Sequence, residues 1–257
     1  MKKNLIVIKV GGKIVEEPES LAQLLADFSH LEGHKVLVHG GGRSATKLSE
    51  KLGIESKMVD GRRITDKETL DVVTMVYGGL VNKNIVAGLQ AHGVNALGLT
   101  GADMNIIESV RRPVTQIDYG FVGDVKKVNA RILSSVIEQD IVPVLAPLTH
   151  DKMGSMLNTN ADTIAAEVAK ALSEYYTVTL VYCFEKKGVL HDETDNNSVI
   201  PRVTPALFKL YVEQKIIQGG MIPKLENAFQ AIHSGVKQVI ITHASAIGKE
   251  GGTVVVN

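Results

Sequence analysis

The stretch LIVIKVGG, residues 5–12, decides the fold. Its run of β-branched and apolar residues predicts a strand buried on both faces, as in parallel sheets. Lys9 interrupts this run directly before Gly11 and Gly12. Two interpretations follow: Lys9 extends from an edge strand into water, or its ammonium group binds a polyanion such as phosphate beside the glycine turn.

The alternation of strand and helix continues along the 257 residues. Short β-rich runs such as KVLVH and VNALGL alternate with longer helical patterns, among them residues 43–51 and a stretch between Asp66 and Gly93. This alternation is typical of βαβ units, so we predict an α/β protein with a mainly parallel sheet covered by helices. The segment QIDYGFVGDVKKV, residues 116–128, instead predicts an antiparallel hairpin at the rim.

The domain organisation is predicted to be one continuous unit with two lobes, residues 1–150 and residues 151–257. No linker separates them, and the join is expected near Pro147 to Gly154. The polar, turn-rich segment HDETDNNSV, residues 191–199, predicts a surface loop in the second lobe.

The charge balance of the chain restricts its partners. Its 28 basic residues match 28 acidic ones, so no global field favours nucleic acid or an anionic membrane, and any anion site must be local. The single cysteine, Cys183, cannot form an internal disulfide and follows a strand-like run, so we expect it to be buried. We predict a cytoplasmic protein with no nucleic-acid partner and no membrane partner.

Three glycines follow the second strand in KVLVHGGGRSA, residues 35–45, immediately before a helix. Glycine permits tight turns and close approach of backbone amides, and a helix N-terminus favours an anion. The letters GGGRSA also fit the G-x-G-x-x-A dinucleotide fingerprint, with Asp60 at a suitable distance for a ribose contact. An NAD-dependent dehydrogenase is therefore the alternative, whereas the missing G-x-S-x-G and P-loop motifs exclude an esterase elbow and a P-loop site.

Two further segments place charges at helix starts. GGMIPK ends at Lys224, in a first helical turn where the helix dipole favours an acid, so an anion is expected nearby. NTNAD ends at Asp162, which lies in the first turn of a helix capped by Asn158 or Asn160. Asp162 either compensates the charge of Lys224 or is only a favourable first-turn acid.

Five motifs together resemble those of the amino acid kinase family; in chain order they are IKVGGK, HGGGR, GRRIT, LNTNAD and GGMIPK. The resemblance implies a three-layer αβα sandwich that transfers phosphate from ATP to a carboxylate. It is closest to the branch of the family that phosphorylates the side-chain carboxylate of N-acyl-L-glutamate. The N-terminal lobe would bind this substrate and the C-terminal lobe would bind ATP. A regulatory binding module on the same fold is the non-enzyme alternative.

The resemblance also implies roles for individual residues. Lys9 and Lys224 would contact the transferred phosphoryl group from its two sides, and Asp162 would hold both ammonium groups. Arg63 would bind the α-carboxylate of the substrate through its planar fork, and Asn158 would hydrogen-bond the substrate near its amide. Backbone amides for the phosphoryl and carboxylate oxygens would come from Gly11, Gly12, Gly41 and Gly42.

The nucleotide side departs from the family pattern. Where relatives have an aspartate-led D-V-x-G-V/I-L, this chain reads FEKKGVL, with Glu185 in place of the aspartate. Lys186 and Lys187 either contact phosphate or are solvated, and Arg62 is expected to be a surface charge. Mg²⁺ would arrive with the nucleotide and no dedicated metal site is expected. Beside Gly11 and Gly12, the implied nucleotide contacts are Glu185, Lys186, Lys187, Gly188, Val189, Leu190, Ile216, Ile217 and Gln218.

The resemblance implies an assembly as well. Family members without an extra N-terminal helix are usually homodimers that arginine does not inhibit. Here the first strand begins by about Leu5. We therefore expect a homodimer built through the N-terminal lobe and no inhibition by arginine.

Overall fold

The computed structural model describes residues 2–59, 61–249 and 251–257. The strands are β1 (Asn4–Val10), β2 (His34–His39), β3 (Met58–Val59), β4 (Arg62–Arg63), β5 (Ala96–Leu99), β6 (Ile107–Arg111), β7 (Gly123–Val128), β8 (Val142–Leu145), β9 (Leu148–His150), β10 (Met156–Asn158), β11 (Thr177–Phe184), β12 (Arg202–Val203), β13 (Gln238–His243) and β14 (Thr253–Val255). The helices are α1 (Gly12–Glu16), α2 (Pro18–Ser29), α3 (Gly42–Lys51), α4 (Lys67–Val73), α5 (Asn82–Ala91), α6 (Ala130–Ile137), α7 (Ala161–Leu172), α8 (Pro205–Glu213) and α9 (Met221–His233).

The largest sheet runs through the whole molecule in the order β12-β14-β13-β11-β1-β2-β8-β5. Strand β1 is an inner strand, paired in parallel with β11 on one side and with β2 on the other. Lys9 is therefore far from a sheet edge, with only 8% of its surface exposed, and the edge-strand interpretation is wrong. The described pairings in this sheet are parallel except the one between β13 and β14, so the sheet is mainly parallel, as predicted.

Helices cover both faces of this sheet. Successive residues of a strand point to opposite faces. Leu5 and Val7 pack into the core formed with α6 to α9, whereas Ile8 and Val10 pack into the core formed with α1 to α5. The predicted three-layer αβα sandwich is thus confirmed. Because Lys9 continues the face of Leu5 and Val7, its side chain points toward the layer of α6 to α9.

Both halves of the chain contribute strands to this sheet. Strands β1, β2, β5 and β8 come from residues 1–150, and β11 to β14 come from residues 151–257. The two sets meet where β1 pairs with β11. The division into two lobes at residue 150 stays a prediction.

The segment 116–128 does not form the predicted hairpin. Its second part is β7, which pairs antiparallel with the earlier strand β6. Its first part is bound by Thr65, whose N–H donates to Tyr119 and whose carbonyl accepts from Phe121. Gly120 forms an isolated bridge with Thr65 in place of the predicted hairpin turn, and the strand partner of β7 lies outside the segment. Strands β6 and β7 belong to a smaller sheet of order β10-β9-β6-β7.

A long helix is made of α4, a π-helical segment (Thr74–Val81) and α5, which confirms the helical stretch expected between Asp66 and Gly93. It begins at Asp66, whose carboxylate accepts the N–H of Thr69 at 2.8 Å. Its 25 residues, Lys67–Ala91, are long and apolar enough to cross a membrane, with a window of mean hydropathy 1.3 of which 44% is buried. Core helices share these properties, and the buried part of this helix packs on the sheet.

His39, the last residue of β2, is fully buried next to the glycine turn. Its Nδ1 lies 2.8 Å from the carbonyl oxygen of Gly40, and its Nε2 lies 3.1 Å from the amide nitrogen of Asn82. The same amide donates to the carbonyl of Val144 at 2.9 Å. A neutral ring that donates from Nδ1 and accepts at Nε2 satisfies both contacts. Burial lowers the pKa of His39 to about 4.

This shift makes stability depend on pH. Below its ordinary pKa of 6.5 the unfolded chain protonates at His39, whereas the folded protein does so only below about 4, so stability falls as the pH falls through that window. We compare how far the free energy of unfolding falls when the pH is lowered from about 7 to about 4.5, measured by urea denaturation. We predict that the fall is about 2 kcal/mol smaller in His39→Gln than in the parent. The control is the exposed His92→Gln. Equal losses in His39→Gln and the parent would contradict the prediction.

Candidate active site

The two glycine turns that follow β1 and β2 lie against each other. A β-carbon built at Gly12 would lie 3.4 Å from the amide nitrogen of Gly41 and 3.5 Å from that of Gly42. One built at Gly40 would lie 3.0 Å from the amide nitrogen of Gly12. The contact at Gly40 is tighter than a side chain normally allows, whereas those at Gly12 are at ordinary contact distance. The result is a cluster of backbone amides at the carboxyl end of two adjacent parallel strands.

The π-helical segment supplies the support beneath this cluster. A β-carbon at Gly41 would lie 2.8 Å from Cδ1 and 3.1 Å from Cε1 of Tyr77, so the ring occupies the space that a side chain would need. Tyr77 is buried, and its burial raises the pKa of its hydroxyl. The ring therefore fixes the position of the second glycine turn. Sequence analysis missed Tyr77 because nothing in the local pattern places it under the glycines.

Lys9 and Asp162 form an ion pair at this end of the sheet, with 2.8 Å between Nζ and Oδ1. Asp162 lies in the first turn of α7, whose N-cap is Asn160. The side-chain oxygen of Asn160 accepts the N–H groups of Asp162 and Thr163. Asn160, not Asn158, is thus the cap. Oδ1 of Asp162 is buried and accepts no well-aligned hydrogen bond from the described residues, so the ion pair with Lys9 is its close polar contact there.

Lys224 approaches the same place from the first turn of α9. Its Nζ lies 3.8 Å from the centroid of the Phe184 ring, and Nζ of Lys9 lies 5.5 Å from the same centroid. Burial lowers the pKa of Lys224, the charge of Asp162 opposes this, and the charge of Lys9 adds to it. The predicted group of two lysines and one aspartate is thus brought together from three separate elements, with Phe184 as a fourth member.

A cavity of about 210 Å³, here called cavity A, opens beside the glycine turns. It is lined by all four residues assigned to the acyl amino acid, namely Gly41, Gly42, Arg63 and Asn158. The neighbouring Arg62, expected to be a surface charge, is exposed but also lies at this cavity. Of the stretch 151–158, only Asn158 lines it, and Met153 is exposed to solvent.

Arg63 is buried and held in one orientation. Its Nη2 donates to the carbonyl of Gly42 at 2.9 Å and to Oγ1 of Thr46 at 2.8 Å, and its Nη1 donates to Oγ of Ser56 at 2.8 Å. A guanidinium has five N–H donors, so two remain beyond these contacts. Arg63 therefore brings a positive charge in a fixed position to the lining of cavity A.

A second cavity of about 460 Å³, here called cavity B, adjoins the first. It shares Gly12 and Gly42 with cavity A, so the glycine turns form the wall between the two. Six of the residues predicted to serve the nucleotide or the phosphoryl group line it: Gly11, Gly12, Glu185, Lys186, Gly188 and Lys224. Lys13 and Arg43, which sequence analysis did not select, add positive charge to its wall.

The other nucleotide predictions lie away from this cavity. Val189, Leu190 and Ile217 are buried core residues, and Ile216 packs at the edge of the same core. Lys187 and Gln218 do not line cavity B either. The structure leaves open their backbone contacts with a nucleotide, so these assignments stay predictions. The side chains of the four apolar residues among them serve the packing of the second half of the chain.

The two lysines of FEKKGVL bind the polar loop that follows them. Nζ of Lys187 lies 2.8 Å from the side-chain oxygen of Asn197, and Nζ of Lys186 lies 3.3 Å from that of Asn196. Both amides belong to the segment 191–199, which is a turn-rich surface loop as predicted. The lysines thus have a structural role that neither sequence interpretation included. Lys186 also lines cavity B, so a phosphate contact remains open for it.

Glu185 joins the two halves of the chain across cavity B. Its carboxylate lies 3.0 Å from Nζ of Lys13 on α1 and 3.8 Å from Nη2 of Arg43 on α3. Both cations are partly exposed, so these pairs contribute little stability. Lys13, Arg43 and Glu185 all line cavity B, so these two cations could also pair with an anion that enters it.

Metal, thiol and dinucleotide chemistry can each be compared with the residues of this site. Among the described residues, no group of three or more His, Cys, Asp or Glu side chains could hold a metal ion. Cys183 is buried as predicted, and burial raises the pKa of its thiol to about 12, so it is not a thiolate nucleophile. Asp60, the ribose contact of the dehydrogenase alternative, lies outside the described residues.

Three features at this end of the sheet suit a phosphotransferase site of the kinase type. They are parallel strands that end in amide-rich turns, two lysines near one acid, and two adjoining cavities. The model of the amino acid kinase family matches residues 4–243, and the chain belongs to this family. It is 73% identical over 255 residues to the acetylglutamate kinase of Phocaeicola vulgatus, covering 99% of each chain. It is 74% identical over 251 residues to that of Parabacteroides distasonis, covering 98% of each.

A solved structure agrees with the fold. The protein smu.665 from Streptococcus mutans UA159 is 31% identical, superposes with a TM-score of 0.78, and the match covers 98% of both chains. Family membership favours the kinase over the dehydrogenase that GGGRSA also allows.

The contact between Gly41 and Tyr77 gives a prediction for stability. Gly41→Ala forces its methyl group into the ring and should cost about 1–3 kcal/mol of unfolding free energy in urea denaturation. The matched control is Gly79→Ala in the π-helical segment that carries Tyr77, where a β-carbon meets nothing within 4 Å. That change should be neutral or slightly stabilising. An unchanged stability in Gly41→Ala would mean that Tyr77 does not fix the glycine turn.

Proposed function

We propose that this protein is an N-acyl-L-glutamate kinase of arginine biosynthesis, with N-acetyl-L-glutamate as its substrate. It transfers the γ-phosphoryl group of ATP to the side-chain carboxylate and makes an acyl phosphate. One observation carries this proposal: cavities A and B share Gly12 and Gly42 in their linings, and Lys224 also lines cavity B. Lys9, which pairs with Asp162, lies 5.5 Å from the centroid of the Phe184 ring that lines cavity B. The high identity to acetylglutamate kinases over almost the whole chain supports the choice of substrate.

Cavity A is the site proposed for the acyl amino acid. The guanidinium of Arg63 binds its α-carboxylate, and the side chain of Asn158 binds near its amide. The amide of Asn158 donates to Oγ1 of Thr65 at 2.9 Å, which fixes the orientation of the side chain and leaves its carbonyl oxygen to accept from the substrate. The far side-chain carboxylate then reaches the glycine wall between the cavities.

Cavity B is the site proposed for ATP, which brings Mg²⁺ with it. Lys13, Arg43, Lys186 and Lys224 give its wall four positive charges against one acid, Glu185. That excess suits a polyphosphate, and the amides of Gly11 and Gly12 add donors at the start of α1. The predicted division into two lobes near residue 150 would place the acceptor mainly on the first lobe.

The chemical step joins two anions. An oxygen of the substrate carboxylate attacks the γ-phosphorus, the bond from phosphorus to the β,γ-bridging oxygen breaks, and ADP leaves with that electron pair. No proton needs to move, so the protein contributes position and charge. Lys9 and Lys224 neutralise the phosphoryl oxygens from two sides, and Asp162 keeps the two ammonium groups from separating.

The direct test is trapping the acyl phosphate with hydroxylamine in the presence of Mg-ATP. We predict hydroxamate formation with N-acetyl-L-glutamate or its N-succinyl analogue, and none with free glutamate or aspartate, because both free amino acids carry an ammonium group where cavity A is expected to hold an amide. The comparison of the two acyl groups identifies the natural one. Absence of product in every arm would refute the proposal, and nicotinamide binding without ATP turnover would favour the dehydrogenase.

A variant shows whether the product comes from this site. Lys224→Ala should keep its fold and lose at least about a hundredfold in kcat, since removal of one fixed charge at a transition state costs about 2.7–4 kcal/mol. The matched control is Lys237→Ala, which changes an exposed lysine outside both cavities. Thermal melting by circular dichroism checks the fold of both variants. Undiminished turnover in Lys224→Ala would remove this residue from the reaction.

The protein is proposed to act as a cytoplasmic homodimer built through its N-terminal lobe. Apolar side chains of the long helix, Met75 and Leu80, are more than half exposed, and Leu97 on the adjoining strand β5 is 37% exposed. Strand β5 lies at the end of the largest sheet, with no further strand beyond it among the described residues. An apolar surface of this kind, beside a free sheet edge, suits a second copy of the chain.

We predict that Leu80→Glu converts this dimer to a monomer in sedimentation equilibrium, because a carboxylate would be buried at the contact without a partner. Leu210→Glu, which changes an exposed leucine of α8 in the other half, is the control and should leave the mass unchanged. A monomeric parent protein, or a parent that requires detergent, would contradict the proposed dimer surface.

A further inference from the structure

Phe184 lies where the two lysines of the site converge. It is the last residue of β11, it lines cavity B, and its ring centroid is 3.8 Å from Nζ of Lys224 and 5.5 Å from Nζ of Lys9. A cation within about 6 Å of a ring centroid is attracted by the negative face of the aromatic system. Phe184 therefore contacts both ammonium groups, although it has no charge of its own.

The lysines of this group outnumber its acids, and Lys224 has no acid of its own among the described residues. Lys9 and Lys224 bring two positive charges, and Asp162, which pairs with Lys9 at 2.8 Å, brings one negative charge. Lys224 is partly desolvated and repelled by Lys9. It forms no ion pair among the residues that the structure describes. The face of the Phe184 ring lies 3.8 Å from its ammonium and favours the charged form, as the charge of Asp162 also does.

An aromatic ring is better suited to this position than a carboxylate. A second carboxylate would pair with Lys224, neutralise it and repel the phosphates that must enter cavity B. A ring face stabilises the ammonium through its quadrupole and adds no negative charge. The site keeps a net charge of +1 from Lys9, Lys224 and Asp162, which an incoming phosphoryl group can use.

The ring is itself held in place. Alternate residues of β11 share a face, so Phe184 lies on the same side as Tyr182, and the two rings stack with 6.0 Å between centroids and 20° between planes. The hydroxyl of Tyr182 donates to the backbone carbonyl of Asp162 at 3.3 Å. The aromatic pair thus links Lys224 to the start of α7, where the acid of the site lies.

We propose that Phe184 is a positioning residue that holds the ammonium groups of Lys224 and Lys9 beside cavity B before ATP binds. The inference rests on the proposed kinase function and deepens it, because it names what orients the second lysine. Phe184 makes no bond in the reaction. It acts through Lys224, so its removal should affect the rate of transfer more than the binding of the acyl amino acid.

The test compares Phe184→Leu, which keeps an apolar side chain without a ring, with Phe184→Tyr, which keeps the ring. Phe184→Leu should lose about 5- to 30-fold in kcat, the effect of a cation–π contact of ordinary strength, with a smaller change in KM for the acyl amino acid. Phe184→Tyr should stay within about threefold of the parent. Phe208→Leu, which changes a partly buried ring that packs against Phe229, is the matched control and should leave kcat unchanged.

A second measurement does not depend on turnover. Removing the ring while keeping an apolar neighbour takes away a stabilisation of the ammonium, so the pKa of Lys224 should fall by about one unit in Phe184→Leu and stay near the parent value in Phe184→Tyr. The titration can be followed by NMR of ¹³C-labelled lysine without substrates, with Lys224→Arg assigning the signal. The alkaline limb of kcat/KM for ATP should move in the same direction.

These outcomes separate the two proposals. If the parent protein makes no hydroxamate with any substrate, the kinase function fails, while the titration of Lys224 still tests its contact with the ring. If the parent is active and Phe184→Leu has the same kcat and the same Lys224 titration, the positioning role of Phe184 is refuted. A fall in kcat without a shift in the titration would also refute it, because a packing defect alone gives that result.

Discussion

The ion pair between Lys9 and Asp162 is the interaction on which the site depends. It joins the inner strand β1 to the first turn of α7 at 2.8 Å, in a place where Lys9 is almost completely removed from water. A buried ammonium is tolerated only with a partner, and removing one member of such a pair typically costs about 3–5 kcal/mol. The pair therefore ties the first half of the chain to the second at the carboxyl end of β1. Lys224 and Phe184 are arranged around it.

Close backbone contact is the second constraint. The turns after β1 and β2 approach until the amides of Gly41 and Gly42 lie against Gly12, and the ring of Tyr77 fills the space beneath. Because no side chain intervenes, the wall between the two cavities is only as thick as the backbone. Ligands in the two cavities would both reach the N–H donors of these turns, as the proposed transfer requires.

Much of this could be predicted from the sequence, and the errors have a common cause. The mainly parallel sheet followed from the alternation of strands and helices. The three layers and the grouping of Lys9, Lys224 and Asp162 followed from the resemblance to the amino acid kinase family. The partner of β7 was wrong, because strand pairing depends on contacts far along the chain. The same limit applies to Lys187, whose binding to Asn197 in the following loop no local pattern specifies.

What the sequence alone determined is the set of elements and the chemistry available at their ends: strands that finish in glycine, helices that begin with an acid or a lysine. Only the tertiary structure decided which ends meet. The order of strands puts β1 between β2 and β11, so charges more than 150 residues apart come within contact distance. Local propensity acts over a few residues, whereas burial of an ammonium is settled by everything packed around it.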